Sequence, residues 1–114
     1  MKTDHPSHKS ERIYRVDKFA VPDHAREEFM SQIRNTHGLL RTLPGFLQDF
    51  VLEQSSAPGE FNIVTIVEWD GVDSIEHAKT AVMAMHKDMK FNPQEMFARL
   101  GIKADLGHYK QIDA

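Results

Sequence analysis

The chain contains no cysteine in 114 residues. That excludes a disulfide framework, a thiol nucleophile, thiolate metal sites and iron–sulfur ligation. No apolar run approaches the ~20 residues of a membrane span. Basic side chains are not in excess: 14 Lys and Arg stand against 17 Asp and Glu, for a net charge of −3. The basic stripe of a nucleic-acid binder is therefore missing. A glycine-rich phosphate loop, a dinucleotide fingerprint, an HExxH zinc helix and a nucleophile elbow are also absent. Flavin, nicotinamide and zinc chemistry gain no support. Residues Met1 to Glu11 lack the apolar segment of a signal peptide, so a cytoplasmic location is the expectation.

What is present suits one globular domain: 40% of residues are hydrophobic, enough for a single core at this length. Residues 1–10 carry no large apolar side chain after Met1 and read as a mobile tail, leaving 11–114 as the domain. His5 and His8 in that tail read as solvated.

Arg12 to Phe19 reads as a strand. Pro22-Asp23 opens a helix whose apolar positions Phe29, Ile33 and Leu40 follow a 3.6-residue period, and Pro44-Gly45 stops it. Phe46 to Gln54 is a second strand. A loop rich in Ser, Pro and Gly follows, then Phe61 to Trp69, rich in β-branched residues, as a third strand. Asp73 and Glu76 suggest a capping box for a second helix, with a stripe at Ile75, Ala78, Val82, Met85 and Met89. Asn92-Pro93-Gln94-Glu95 starts a short third helix that Gly101 ends. Leu106 to Ile112 is the last strand. The order β-α-β-β-α-α-β is the ferredoxin-like split βαβ arrangement, an α+β fold with one antiparallel sheet.

The third strand is apolar on both faces, with Ile63 and Val67 opposite Val64 and Ile66. The second mixes Phe46, Phe50 and Leu52 on one face with Leu47 and Val51 on the other. Helices can cover only one face of such a sheet. A second copy of the chain is the expected cover for the other, giving a homodimer through the sheet face. Asn62 is expected toward that seam.

The segments Phe19-Ala20-Val21-Pro22, Leu39 to Phe46 (LLRTLPGF) and Val67-Glu68-Trp69, and the helix from Ser74 with His77, carry a resemblance. Across residues 12–112 the chain resembles an antibiotic biosynthesis monooxygenase (ABM) domain of the dimeric α+β barrel superfamily. The resemblance implies a dimer with a mostly apolar pocket in each subunit. It also implies one of several activities: cofactor-independent oxygenation of a quinol or anthrone, haem degradation, or ligand binding without turnover. Fold alone does not choose among them.

Trp69, the only tryptophan, shares a strand face with Ile63, Thr65 and Val67. It either lines a pocket, where a flat indole suits an aromatic ligand, or closes the strand end as core. His37 sits in the apolar stripe of the first helix, as a general base or as a buried histidine satisfied by one hydrogen bond. His77 and His86 are nine residues apart, about half a turn out of phase at ~100° per residue, and cannot share one metal site. In haem-degrading relatives a histidine of this helix is the axial ligand. Asp17 stands where that branch carries asparagine, a departure from its pattern. Arg15 and Asp17 share a strand face, as an ion pair or as the polar end of a pocket. Tyr109 and His108 point to opposite faces, and either suits a pocket. Met83, Met85, Met89 and Met96 pave a wall or fill core. The candidates are thus His37, His86 and Trp69 for catalysis. Arg15, Asp17, Thr65, His77, Met85, Met89 and Tyr109, with Trp69, are the candidates for contact with a small aromatic or apolar substrate. No metal site and no cofactor are expected, with haem as the alternative.

Overall fold

The computed structural model describes residues 12–56 and 59–113. The tail reading, with His5 and His8, lies outside them, as do positions 57 and 58 of the expected loop. Strand β1 (Ile13–Ala20) leads through a 3-10 turn (Asp23–Ala25) into helix α1 (Arg26–Leu40). Strands β2 (Phe46–Glu53) and β3 (Ile63–Trp69) follow, then α2 (Val72–Asp88), α3 (Pro93–Leu100) and β4 (Lys103–Tyr109). All strand pairs are antiparallel, in the order β2-β3-β1-β4. This is the expected ferredoxin-like α+β architecture. None of the helices is long and apolar enough to cross a membrane, among the described residues.

Turn chemistry positions the elements. Gly45 sits at φ +86°, where a Cβ would also collide with Ser74, so the LPGF turn needs glycine twice over. Asn92 caps α3 by accepting from the backbone N–H groups of Gln94 (2.9 Å) and Glu95 (3.2 Å), and Gly101 ends that helix in the left-handed region. Two buried clusters hold the helices on the sheet. One gathers Phe19, Phe29, Ile63, Met96 and Leu100. The other gathers Ile13, Val67, Trp69, Ile75 and Ala78.

Several expectations change. The Asp73–Glu76 capping box does not form: α2 starts at Val72, with Gly71 at the cap position and no side-chain cap bond. Ser74 instead donates to Asp70. The last strand is Lys103–Tyr109, not Leu106–Ile112, because pairing with β1 runs from Ala20↔Lys103 to Tyr14↔Tyr109. Asn62 ties down the β1–α1 connection rather than facing outward. Its Oδ1 accepts from Val21 N–H (2.8 Å), and its Nδ2 donates to the Val21 carbonyl (2.9 Å). In β2 a register shift between Phe46 and Gln48 turns Phe46 to the helix side, where its ring meets Trp69 edge-on at 5.8 Å. Phe46 therefore parts from Phe50 and Leu52.

Candidate functional site

The helix-facing side of β3 supplies Thr65, Val67 and Trp69 as a buried floor. Between this floor and the helices lies a cavity of about 590 Å³, within the range of small-molecule sites. Its wall is mostly apolar. Leu40, Ile75 and Trp69 stand toward one end and Phe29, Phe91, Met96 and Phe97 toward the other. Polar side chains also line it, and three sets of them bear on its chemistry.

His37 is the first. It is 4% exposed and lines the cavity from α1. Its Nδ1 lies 2.8 Å from Oδ2 of Asp49 on β2. An ionised aspartate only accepts, so Nδ1 carries the hydrogen and Nε2 remains as the basic nitrogen. Burial pushes the Asp49 carboxyl up, but hydrogen bonds from His37 and Arg41 outweigh it and leave its pKa below the ordinary aspartate value. Arg41 binds the same carboxylate, with Nη2 2.9 Å from Oδ2 and Nε donating to Oδ1 at 3.3 Å. A buried histidine held in one tautomer by a carboxylate is a built acid–base group.

The second cluster is on the sheet floor. Arg15 Nε donates to Asp17 Oδ1 at 2.6 Å, and Arg15 Nη1 lies 3.5 Å from Nε2 of His108 on β4. Burial pushes the Asp17 pKa up, against the opposing pull of Arg15. All three residues line the cavity.

The third is on the helices. Gln32 of α1 and His86 of α2 line the cavity, and Gln32 Oε1 and His86 Nε2 are buried with no hydrogen-bond partner among the described residues. Burial holds the His86 pKa below the ordinary histidine value. Its ring stands edge-on to Phe91 at 5.1 Å.

Several solved structures share this arrangement of strands and helices. A candidate monooxygenase of Shewanella loihica PV-4 superposes with a TM-score of 0.69 at 13% identity, covering 92% of this chain and 98% of that one. SnoaB of Streptomyces nogalater, a cofactor-independent oxygenase, gives 0.62 at 18%, covering 91% and 96%. The haem degrader MhuD of Mycobacterium tuberculosis, with two haems in its active site, gives 0.65 at 17%, covering 90% and 97%. The chain has the ABM-domain fold. No family model and no curated protein matches the sequence.

Within this ABM-like fold, His37, His86, Trp69, Arg15, Asp17 and Thr65 come together around one cavity. His77, Met85, Met89 and Tyr109 do not line it. His77 is exposed, although Glu76 and Ala78 on either side of it line the cavity, and Met89 is 44% exposed beyond the helix end. Met83 of the same helix lines the cavity in place of Met85. Tyr109 pairs with Tyr14 on the outer face of the sheet, and His108 takes the inward position. Asp49 was missed because the β2 register shift is invisible in the residue alternation. Gln32 and Thr36 were missed because polar residues inside an apolar stripe do not announce themselves, although the Phe29-Ile33-His37-Leu40 spacing brackets both.

Proposed function

We propose that the chain is a cofactor-independent monooxygenase acting on a small electron-rich aromatic of the quinol or anthrone type. The observation that carries the reading is the buried His37–Asp49 pair at the wall of an apolar cavity floored by Trp69. His37 Nε2 takes a proton from the phenol or enol. Asp49 keeps the proton on Nδ1 and stabilises the imidazolium that results. Trp69 holds the ring flat, and the apolar wall keeps water from the carbanionic carbon. The substrate anion supplies the electrons for dioxygen. An anthrone CH₂ becomes a carbonyl with one oxygen atom, and the other leaves as water with the two hydrogens. His37 is preferred to His86 as base because, among the described residues, a carboxylate orients His37 and none orients His86.

A second copy of the chain covers the outer sheet face in this reading. Phe50 and Leu52 of β2 and Tyr109 of β4 are each 48% exposed there, beside Val64 and Ile66.

The test is dioxygen uptake by metal-free protein given hydroquinones and anthrones. Uptake above autoxidation is expected to fall by roughly 10²–10⁴-fold in His37→Ala, the range of a lost general base. Uptake equal to buffer across the panel defeats the reading.

One observation favours a haem alternative. Among the described residues no group of three or more His, Cys, Asp or Glu could hold a bare metal ion. The buried, unpartnered Nε2 of His86 nevertheless has the chemistry of an iron ligand, and Lys79 of the same wall is a cation for a propionate. Bound haem would supply dioxygen activation. A Soret band on hemin addition that His86→Ala abolishes supports this alternative.

A further inference from the structure

Buried polar atoms without partners are rare, and each calls for a reason. Here the two side-chain atoms in that state, among the described residues, both belong to the wall of one cavity: Gln32 Oε1 and His86 Nε2. They come from different helices. They also belong to the same end. Gln32 is less than one turn from Phe29, and His86 stands against Phe91, which packs on the cluster containing Phe29. His37 lies five residues further along α1, about 7.5 Å of helix rise away. The cavity therefore has His37 on one side of this rise and Gln32 with His86 on the other, and the Arg15–Asp17 pair, bonded to each other, lies on the sheet floor between Trp69 and Phe19.

We propose that Gln32 and His86 form a recognition subsite for a second oxygen substituent, at the end of the substrate remote from the base. The ligand class is a fused or extended aromatic with hydroxyl or oxo groups at opposite ends. Gln32 Oε1 accepts from a hydroxyl. His86 is neutral and offers Nε2 to the same substituent as donor or acceptor, according to tautomer. A site built to hydrogen-bond a hydroxyl discriminates against the analogue that lacks it, because its own buried groups are then left unpaired. Gln32 and His86 thus set specificity, while His37 and Trp69 serve any aromatic. The inference rests on the aromatic-substrate reading above.

The experiment is calorimetric titration of the full chain, without dioxygen, using 1,5-dihydroxynaphthalene and 1-naphthol. The apolar body is the same and only the remote hydroxyl differs. The dihydroxy compound is expected to bind roughly tenfold more tightly. In Gln32→Met, and separately in His86→Phe, that ratio falls toward one, the two compounds being compared within each variant. Both variants replace an unpartnered buried polar atom by apolar volume, so their Tm should hold or rise. A ratio unchanged in both variants overturns the proposal and leaves water as the partner of these atoms. A clear fall in Tm in both also overturns it, since it means that the atoms already have structural partners. If neither compound binds wild type, the aromatic-substrate reading fails and takes the subsite with it. If the ratio behaves as expected but no panel compound is oxygenated, the subsite stands and the oxygenase reading alone fails.

Discussion

Ile63 and Val64 are neighbours on β3 with similar side chains, and the pleat sends them opposite ways. Ile63 is 2% exposed under the helices, whereas Val64 is only half-buried on the outer face. The same division runs across the sheet. Thr65, Val67 and Trp69 face inward and are nearly sealed, while Phe50, Leu52 and Tyr109 face outward and are about half exposed. The outer face is not uniformly open, since Glu68 lies there at 3% exposure. It accepts from Gln48 Nε2 (2.6 Å) and Arg12 Nη1 (3.2 Å). One face is thus finished within the chain around a cavity. The other has a satisfied polar centre ringed by apolar side chains that the described residues do not cover. A surface of that kind suits a partner better than solvent.

The largest effect is expected where a partner would sit. Phe50→Asp with Ile66→Asp places buried charge in the proposed dimer interface, and unpaired charge there is severely unfavourable. Sedimentation should show the mass falling from dimer to monomer. A wild-type chain that is already monomeric at all concentrations ends the second-copy reading, without touching the inner face.

Next comes the neighbour pair. Ile63→Ala should cost about 2–5 kcal/mol, a Tm loss on the order of 10 °C or more. Val64→Ala should cost less than ~1 kcal/mol in a monomer. If the dimer forms, Val64→Ala should cost more as protein concentration rises, while Ile63→Ala keeps its size. Denaturant melts at two concentrations separate these outcomes, and equal costs for the two positions would break the contrast between the faces.

The distinction also shows what can be read from residues alone. The LPGF turn, the Asn92 cap and the Gly101 stop were legible because each is local chemistry, complete within a few residues. The face of Phe46 and the role of Asp49 were not, because one extra residue in β2 inverts the alternation that such a reading depends on. Tyr109 and His108 needed the β1–β4 register to be told apart. His37 was legible as a histidine in an apolar stripe, but the carboxylate that makes it an acid–base group comes from another element. Nothing in the sequence tells that Asp70, rather than Asp73, would engage the start of α2.

Asp49→Asn tests the inner face at a smaller scale. The folded state holds the Asp49 pKa below the unfolded value, so its stabilisation is complete above the unfolded pKa. It is lost as pH falls through the folded value. Wild type should therefore lose this contribution in acid below about pH 4, whereas Asp49→Asn lacks it throughout and shows a shallower acid limb. Oxygen uptake should fall on the order of 10²-fold with little change in KM, since asparagine can hold His37 in the wrong tautomer. A purely structural Asp49 would change the melts and leave the activity of the folded fraction intact.

The smallest effect is at the α3 cap. Asn92→Ala removes the acceptor of two backbone N–H bonds and should cost about 1 kcal/mol. The helix is short, so the loss is not shared over many turns. Its inward side chains, Met96 and Phe97, belong to the cavity wall and to the cluster around Phe29. The change should accordingly raise amide exchange along α3 and weaken binding of any cavity ligand, while leaving the oligomeric mass unaltered. Loosened exchange with unchanged ligand affinity would mean that α3 closes the core but not the site.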